Sequence, residues 1–272
     1  DSAPVSSAGG RILFSAYNVS ETRWEILAAP ASGGQPQTLA TNAIMPALSP
    51  NGDILLYRSE RSDSIGIHAL NLTTGEDVRA TVVRQHILPR WAGDNLQFVF
   101  PAQEPGTNRW QVFVGFADGK SDPIILLDGR TPDSDGKIIV YQGTDPEGNQ
   151  PGIYSRPFGG GEATRLTSHE SDRMPVLSPD GSRLAYMSTQ NGNWDIFVVS
   201  AAGGSPRAVV SSPGNDGLPA WSPDGSQLAF VSDRDGSWAI YVVNLAGGAP
   251  SKLTDWDGNR PDWLTAQIWW GR

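Results

Sequence analysis

Short apolar runs alternate with polar, turn-forming stretches along the chain, and two neighbouring stretches are nearly copies of one another. Residues 175–181 read PVLSPDG and residues 219–225 read PAWSPDG. In each copy an apolar run, a polar turn, a second apolar run and a Gly-Gly pair follow. The runs are short and rich in β-branched and aromatic residues, so the pattern predicts β-strands separated by tight turns.

The residues between the runs supply the chemistry that tight turns need. Proline fixes φ at the second position of a type I turn and glycine closes the fourth, which suits residues 178–181 and 222–225. Asn191-Gly192 and Asp235-Gly236 stand between two strand-like runs, a strong short-range signal for a β-hairpin. Gly203-Gly204 supplies positive φ for a further turn. Each unit is therefore predicted to hold four antiparallel strands.

Two markers show that the unit repeats along the chain. The turn glycine, or an asparagine in its place, recurs at Gly10, Gly52, Asn95, Gly136, Gly181 and Gly225. A position just ahead of the third strand recurs at Trp24, Ile65, Trp110, Pro151, Trp194 and Trp238. The spacing of roughly 41 to 45 residues is that of a four-stranded propeller blade. We therefore predict an all-β fold, a six-bladed β-propeller of four-stranded antiparallel blades, with residues 1–272 as one domain.

The chain starts and stops out of phase with this unit. The approximate blades are 9–40 together with 260–270, 43–82, 86–127, 128–167, 172–211 and 216–255. Because Arg260-Pro-Asp-Trp263 resembles an innermost strand, we expect the C-terminal segment to join the N-terminal blade and close the ring, which removes open sheet edges. The segment Pro4-Val5-Ser6 is a competing source of that strand. Blade 4 carries Arg130 and Pro132 in place of Pro and Trp, so a short or irregular inner strand is expected there.

Composition narrows the possible partners. The chain has 20 Lys and Arg against 29 Asp and Glu, a formal net charge of −9, which disfavours nucleic acid because phosphates need basic patches. No apolar stretch reaches the length of a membrane span, so no direct membrane insertion is expected. Cysteine is absent, which excludes disulfides and thiolate chemistry. The first residues lack a signal segment and resemble the start of a processed mature chain.

The sequence offers little support for catalysis or metal binding. The Gly-x-Ser-x-Gly elbow of a prolyl-oligopeptidase-type hydrolase does not occur. The three histidines, His68, His86 and His169, lack metal-ligand spacing, and turn chemistry alone explains acidic stretches such as 233–236. We therefore predict no catalytic residue, no bound metal and no cofactor.

The repeat Pro-x-Trp-Ser-Pro-Asp-Gly-x-x-Leu-Ala-Phe, followed by Ile-Tyr-Val-Val and Gly-Gly, resembles the WD-type repeat of TolB-like propellers. It is closest at 172–210 and 216–254 and weakest in blades 3 and 4. The resemblance implies a periplasmic or extracytoplasmic protein-binding module. Related propellers precede prolyl-oligopeptidase-type hydrolases. Oligogalacturonate-lyase-like propellers use a histidine-rich channel metal, and only His86 falls near a predicted channel position here.

A ligand is expected at the mouth of the central channel, where the loops that lead into the innermost strands crowd together. Mixed charges at one opening suit a polar peptide or a ligand with a carboxylate, because desolvated charges need partners. The alternative is that these side chains pair with one another. The predicted ligand-binding residues are His86, Arg90, Asp172, Arg173, Asp216, Arg260 and Asp262.

These observations favour a non-enzymatic extracytoplasmic module that binds a protein or peptide partner at the channel mouth. We expect a periplasmic or extracellular monomer. Three alternatives remain at this point: a hydrolase or lyase with its active site in the channel, the propeller part of a larger sensor or peptidase, and a structural scaffold without a small ligand.

Overall fold

Six four-stranded antiparallel sheets make up the fold, which confirms the predicted propeller. A computed structural model describes residues 9–83, 85–145, 148–256, 261–263 and 265–271. Within each sheet the strands follow chain order from the axis outwards, except that the innermost strand of blade 1 comes from the C-terminus. The all-β architecture follows from the alternation of apolar runs and tight turns.

The strands are numbered in chain order. Blades 1 to 3 contain β1 (Arg11–Asn18), β2 (Arg23–Pro30), β3 (Gln37–Thr41), β4 (Ala43–Leu48), β5 (Ile54–Ser59), β6 (Gly66–Asn71), β7 (Asp77–Arg79), β8 (Arg90–Trp91), β9 (Gln97–Gln103), β10 (Trp110–Phe116) and β11 (Ile124–Asp128). Blades 4 to 6 contain β12 (Arg130–Ser134), β13 (Ile138–Gly143), β14 (Gly152–Pro157), β15 (Thr164–Arg165), β16 (Arg173–Leu177), β17 (Arg183–Ser188), β18 (Asp195–Ser200), β19 (Arg207–Val210), β20 (Asp216–Trp221), β21 (Gln227–Ser232), β22 (Ala239–Asn244) and β23 (Ser251–Asp255). The last strand, β24 (Trp269–Gly271), returns to blade 1.

The two ends of the chain close the ring by pairing in one sheet. Strand β24 runs antiparallel to β1, with Ile12 opposite Trp270 and Arg11 opposite Gly271. Each innermost strand also contacts the innermost strands of the neighbouring blades all the way round. The closing strand therefore comes from the C-terminal segment, as expected.

The closing strand lies later in the chain than the sequence pattern indicated. Pro261 and Trp263 are not in a strand, and the competing segment around Pro4 lies outside the described residues. The register places Trp270 opposite Ile12, as Trp221 lies opposite Leu228 in blade 6. Trp263 instead packs at the axis, because its ring fits over Gly217, where any Cβ would lie 2.7 Å from it.

The predicted turns are present. The Gly181 amide donates to the Ser178 carbonyl at 2.8 Å, and Gly181 has φ +70°. Only glycine adopts this left-handed conformation without strain, which explains why the turn ends on it. The first and second strands of blade 5 are thus joined as the sequence predicted.

Blades are held to their neighbours by apolar clusters and by tryptophan wedges. The Trp221 indole donates to the Val176 carbonyl of the preceding blade at 3.0 Å, and Trp91 donates to Ala47 in the same way. Both rings are buried among residues of two blades. These wedges satisfy inner-strand carbonyls that point out of their own sheets.

The innermost strands share a distortion that the sequence assigned to blade 4 alone. The register shifts within β4, β12, β16 and β20. In each of blades 2 to 6, one non-glycine residue near this point has positive φ. These residues are Met45, Leu88, Thr131, Met174 and Leu218. The irregularity is therefore a property of the repeat, and blade 4 keeps a five-residue inner strand.

A first prediction tests the closure. The Gly10→Ala substitution places a Cβ 2.2 Å from the Gly271 carbonyl, so it opposes the β1–β24 pairing. Gly9 is the matched control, since it also has positive φ but nothing within 4 Å. We expect Gly9→Ala to lower the free energy of unfolding by about 1 kcal/mol. Gly10→Ala should lower it by about 3 kcal/mol or more in urea titrations followed by tryptophan fluorescence. Equal losses would contradict the closure argument.

A second prediction tests the wedges. Trp221→Phe keeps most of the buried ring but leaves the Val176 carbonyl without its donor, so unfolding should become easier by about 1 to 3 kcal/mol. Trp24→Phe is the control. The Trp24 ring packs on Tyr17, and its indole nitrogen makes no hydrogen bond to a described residue. Thermal unfolding of both variants measures the difference. A Trp24 variant as unstable as the Trp221 variant would count against the hydrogen bond.

Candidate functional site

The channel has two different ends. We call the face that carries the loops leading from one blade into the next the upper face, and the face that carries the turns between first and second strands the lower face. Between them the axis is filled by the buried side chains of Met45, Leu88, Met174 and Leu218. Their positive-φ backbone belongs to the shared distortion of the inner strands. The described residues therefore divide the channel into two separate vestibules.

The C-terminal segment completes this division. The Gln267 side-chain amide donates to the carbonyls of Pro46 and Pro89 at 3.0 and 3.4 Å, which links the segment to the inner strands of blades 2 and 3. Trp263 packs against Trp194 and Trp238, with ring centres 6.5 and 5.5 Å away. These contacts cover the channel above blades 5 and 6.

Two arginines mark the part of the upper face above blades 4 and 5. Arg130 and Arg173 occupy equivalent positions at the starts of β12 and β16. Their guanidinium groups lie 5.2 Å from the ring centre of Trp110 and 4.6 Å from that of Trp194. Such stacking holds a cation on an aromatic face. The tryptophans that mark the repeat in the sequence thus carry the arginines in the fold.

The two arginines are close enough to affect one another. Burial lowers the pKa of Arg173, and the charge of Arg130 lowers it further; burial also lowers the pKa of Arg130. Arg173 donates through Nε to the Ser171 carbonyl at 3.0 Å. Neither arginine forms an ion pair with a carboxylate of the described residues. Two adjacent cations without an acidic partner form a site that favours an anion.

A groove continues outwards from Arg130 between blades 3 and 4. Its volume is about 1060 Å³, and Trp110, Arg130, Tyr141 and Arg165 line it together with loop residues of both blades. Within the groove the side-chain oxygen of Gln142 is buried and has no hydrogen-bond partner. The groove therefore combines Arg130, aromatic surface and an unsatisfied acceptor, and the acidic residues Asp128, Asp145 and Glu162 also line it.

The predicted acidic residues have structural partners. Asp216 is completely buried, and its two oxygens accept hydrogen bonds from Arg234 at 2.7 Å and Ser212 at 2.9 Å. Asp172 accepts the amide of His169 at 3.0 Å, and its other oxygen is buried without a partner. Each of these carboxylates lies inside its blade, so neither presents charge to the upper opening.

Two other predicted residues lie away from the upper mouth. His86 is 8% exposed and packs on Phe100 and Phe113, with ring centres 4.6 and 5.8 Å away. Burial lowers the pKa of His86 to about 4, so the ring is neutral at physiological pH. Arg90 is 6% exposed and lines a cavity on the lower face, because it stands further along its inner strand than Arg173 does.

The remaining predicted residues belong to the C-terminal segment. Asp262 accepts the Thr265 hydroxyl at 2.7 Å and begins a turn whose amides at Thr265 and Ala266 donate to its carbonyl. Arg260 lies outside the described residues. Of the predicted set, the structure places Arg173 on the open part of the upper face, next to Arg130, which the sequence argument treated only as an irregularity of blade 4.

A hydrogen-bonded cluster in blade 2 escaped the sequence argument. His68 Nδ1 lies 3.2 Å from Asp77 Oδ1, and His68 Nε2 lies 3.0 Å from Ser64 Oγ. Asp77 also accepts Tyr57 and Arg61, each at 2.8 Å. Burial raises the pKa of Asp77, but the hydrogen bonds from Arg61 and Tyr57 outweigh it and hold the pKa below its usual value. Spacing could not reveal the cluster, since pairing of β6 with β7 brings the residues together.

His68 also occupies a repeated structural position. It faces Tyr57 with ring centres 5.3 Å apart, as Phe197 faces Tyr186 and Tyr241 faces Phe230. The third strands thus present an aromatic ring to the second strands in these blades. Packing accounts for the ring at this position, and the polar contacts are specific to blade 2.

Among the described residues, no group of three or more acidic or histidine side chains is arranged to hold a metal ion. The described part of the chain also holds no helix that is long and apolar enough to cross a membrane.

Sequence comparisons connect the repeat with known proteins. A family model described as the TolB beta propeller domain matches residues 169–265. The Tol-Pal system protein TolB of Francisella tularensis subsp. tularensis (strain WY96-3418) is 27% identical over 155 residues, which cover 53% of this chain and 35% of that protein. TolB of subsp. mediasiatica (strain FSC147) is 26% identical over the same length. The match thus spans about a third of the length of these relatives.

Solved structures share the fold over nearly the whole chain. TolB from Acinetobacter baumannii superposes with a TM-score of 0.79 at 19% identity, covering 96% of this chain and 66% of that one. A putative TolB from Agrobacterium tumefaciens gives 0.66 at 20% identity, with 97% and 99% covered. An oligogalacturonate lyase in complex with manganese gives 0.59 at 16% identity, with 85% and 71% covered. Taken with the repeat and the six closed blades, these similarities show a six-bladed β-propeller that resembles the TolB propeller domain.

Proposed function

We propose that this propeller is a non-enzymatic binding module that takes an acidic segment of a protein or peptide partner on its upper face. The observation that carries the proposal is the adjacent pair Arg130 and Arg173, stacked on tryptophans and without a carboxylate partner among the described residues. Arginine presents a planar set of donors that matches a carboxylate. The ligand would supply the carboxylate with which neither arginine is paired among the described residues.

The surroundings of the pair suit a chain-like ligand. The groove between blades 3 and 4 leads away from Arg130 and offers Trp110 and Tyr141 as apolar contacts. Trp263 fills the axis on the side of blades 5 and 6. The ligand would therefore lie across the upper face and would not pass through the channel. The chain as a whole carries a net charge of −9, which repels an acidic partner, so binding would depend on the local cationic site.

The cellular setting is part of the same proposal. The relatives with sequence similarity are named as Tol-Pal system proteins. The resemblance to TolB-like propellers implies an extracytoplasmic protein-binding module. We place the protein in the periplasm or outside the cell, as a monomer with one protein or peptide partner.

A third prediction tests the arginine pair. A fluorescein-labelled hexaglutamate peptide should bind the purified protein, and the Arg130→Gln/Arg173→Gln variant should bind it at least tenfold more weakly in fluorescence anisotropy. The control is Arg79→Gln/Arg207→Gln, which removes two exposed arginines of outer strands and the same charge. Hexaglutamine should not bind. Equal weakening by both double variants would show that only net charge matters and would overturn the site.

A hydrolase is the second function to consider, because Ser64, His68 and Asp77 have the order of contacts of a nucleophile, base and carboxylate. However, His68 Nε2 also lies 2.9 Å from the Ser64 carbonyl, which can only accept. The contact with a carbonyl oxygen requires Nε2 to donate, whereas a general base would have to accept the Ser64 proton at that nitrogen. The cluster therefore fits a structural role better than a catalytic one.

A fourth prediction separates the two functions. A fluorophosphonate probe, which labels activated serines, should leave the purified protein unmodified by intact-mass spectrometry. Ser64→Ala should show the same absence of labelling and the same hexaglutamate affinity as the wild type. Stoichiometric labelling that disappears in Ser64→Ala would instead establish a nucleophilic serine and favour the hydrolase.

A further inference from the structure

The lower face holds a cavity with four tryptophans in its walls. The ends of the innermost strands surround it, and its volume is about 410 Å³, within the range of small-molecule pockets. Four tryptophans contribute to the lining: Trp91, Trp221, Trp269 and Trp270. Leu48 and Leu177 add aliphatic surface. Because Met45, Leu88, Met174 and Leu218 fill the axis above it, this cavity is separate from the arginine pair on the upper face.

A buried cation faces into this apolar space. Arg90 is 6% exposed, and its guanidinium carbon lies 5.2 Å from the ring centre of Trp269 in the closing strand of blade 1. Among the described residues it has no hydrogen bond and no ion pair. Burial lowers the pKa of Arg90, and the charge of Asp133 opposes this shift. None of the Arg90 nitrogens is among the enclosed side-chain atoms that lack a partner, so the guanidinium opens onto the cavity, where an anionic group can reach it.

A buried carboxylate stands at the equivalent position of the next blade. Asp133 is 7% exposed and accepts the Leu177 amide through Oδ2 at 2.7 Å. Its oxygens lie more than 4.0 Å from the nitrogens of Arg90, since the two form no ion pair. Burial raises the pKa of Asp133 to about 6, and Arg90 opposes this shift. The cavity thus holds two opposite charges that are held apart.

The repeat shows that the innermost strand can carry an uncharged residue at this position. The same position of the innermost strand is Ala47 in blade 2, Val176 in blade 5 and Ala220 in blade 6. These residues pack in the same ring without polar groups. The charges of blades 3 and 4 are therefore an addition to the scaffold, in the place where a ligand could reach both.

We propose that the lower cavity binds a small zwitterionic peptide with apolar side chains, with its carboxylate on Arg90, its ammonium group on Asp133 and its side chains against the tryptophans. A free dipeptide has both terminal charges, separated by a peptide unit, and this separation matches two protein charges that do not touch. The tryptophan walls provide apolar contact area at little entropic cost. The proposal is independent of the partner site, since the two lie on opposite faces.

The experiment is a titration of the purified protein with L-phenylalanyl-L-leucine, followed by calorimetry and by tryptophan fluorescence. The free dipeptide should bind and change the emission, because four tryptophans line the cavity. The C-terminal amide and the N-acetyl derivative should each bind at least tenfold more weakly, and the doubly capped peptide should not bind. Equal binding of the free and the doubly capped peptide would overturn the proposal. So would the absence of binding at a dipeptide concentration of about 10 mM.

Variants connect the binding to the two charges. Arg90→Met should abolish binding. Arg90→Met/Asp133→Asn should also abolish it, and this double variant leaves no unpaired charge in the cavity. Arg79→Met is the control and should bind like the wild type, since Arg79 lies on an outer strand. Thermal unfolding shows whether each variant is folded. A folded double variant that binds the dipeptide as tightly as the wild type would refute the roles of Arg90 and Asp133.

Discussion

The pairing of the two chain ends is the constraint on which the rest of the structure depends. A propeller blade buries both faces against its neighbours, so a ring that opens exposes two blade faces at once. Here the closure consists of a three-residue strand on β1, together with a glycine pair whose backbones approach each other. The Trp270 indole adds a hydrogen bond to the Gly9 carbonyl at 2.9 Å. Because this seam is short, the axial contacts of the preceding segment matter: Gln267 and Trp263 hold the chain at the centre before it reaches blade 1.

The same axial contacts decide where a ligand can bind. A glycine at position 217 makes room for Trp263, whereas blades 4 and 5 carry arginine at the equivalent point of their inner strands. Trp263 thereby fills the part of the upper face next to Gly217, whereas Arg130 and Arg173 stand in the part above blades 4 and 5. Three residues further along the inner strands, towards the lower face, Arg90 and Asp133 stand where blades 2, 5 and 6 carry Ala47, Val176 and Ala220. Both candidate sites are therefore departures from the repeat, placed where the repeat leaves the axis accessible.

The fold could be predicted from the sequence because it rests on local and periodic signals. The Ser-Pro-Asp-Gly turns, the Asn-Gly hairpins and the spacing of the markers each specify their part without reference to distant residues. Closure was predicted too, but its strand was placed on Trp263, which shares the Pro-x-Trp pattern and packs elsewhere. The Pro-x-Trp pattern alone cannot show that Gly217, in another blade, leaves room for the indole ring of Trp263.

The candidate site could be predicted less well, because it depends on where a side chain lies along a strand and on which partner it finds. Arg90 and Arg173 both come near the start of an inner strand, yet they face opposite ends of the channel. His86 was expected at the mouth and is packed between phenylalanine rings, a contact that no spacing reveals. Arg130 was noticed as a break in the repeat, and the structure shows that such breaks were the better guide to the upper face.

The pair formed by Asp216 and Arg234 in blade 6 can be compared with the equivalent positions in blades 5 and 2. Blade 6 has a complete buried pair, Asp216 with Arg234. In blade 5 the carboxylate remains as Asp172, but Gln190 stands where the arginine would be, and one oxygen is left without a partner. Blade 2 shows the reverse: the arginine remains as Arg61, and it turns to Asp77 on the outer strand. Where one member of the pair is replaced, the remaining charged side chain is left without that partner. The hydrogen-bonded cluster around Asp77 is thus explained by a missing carboxylate at the axis, without any need for catalysis.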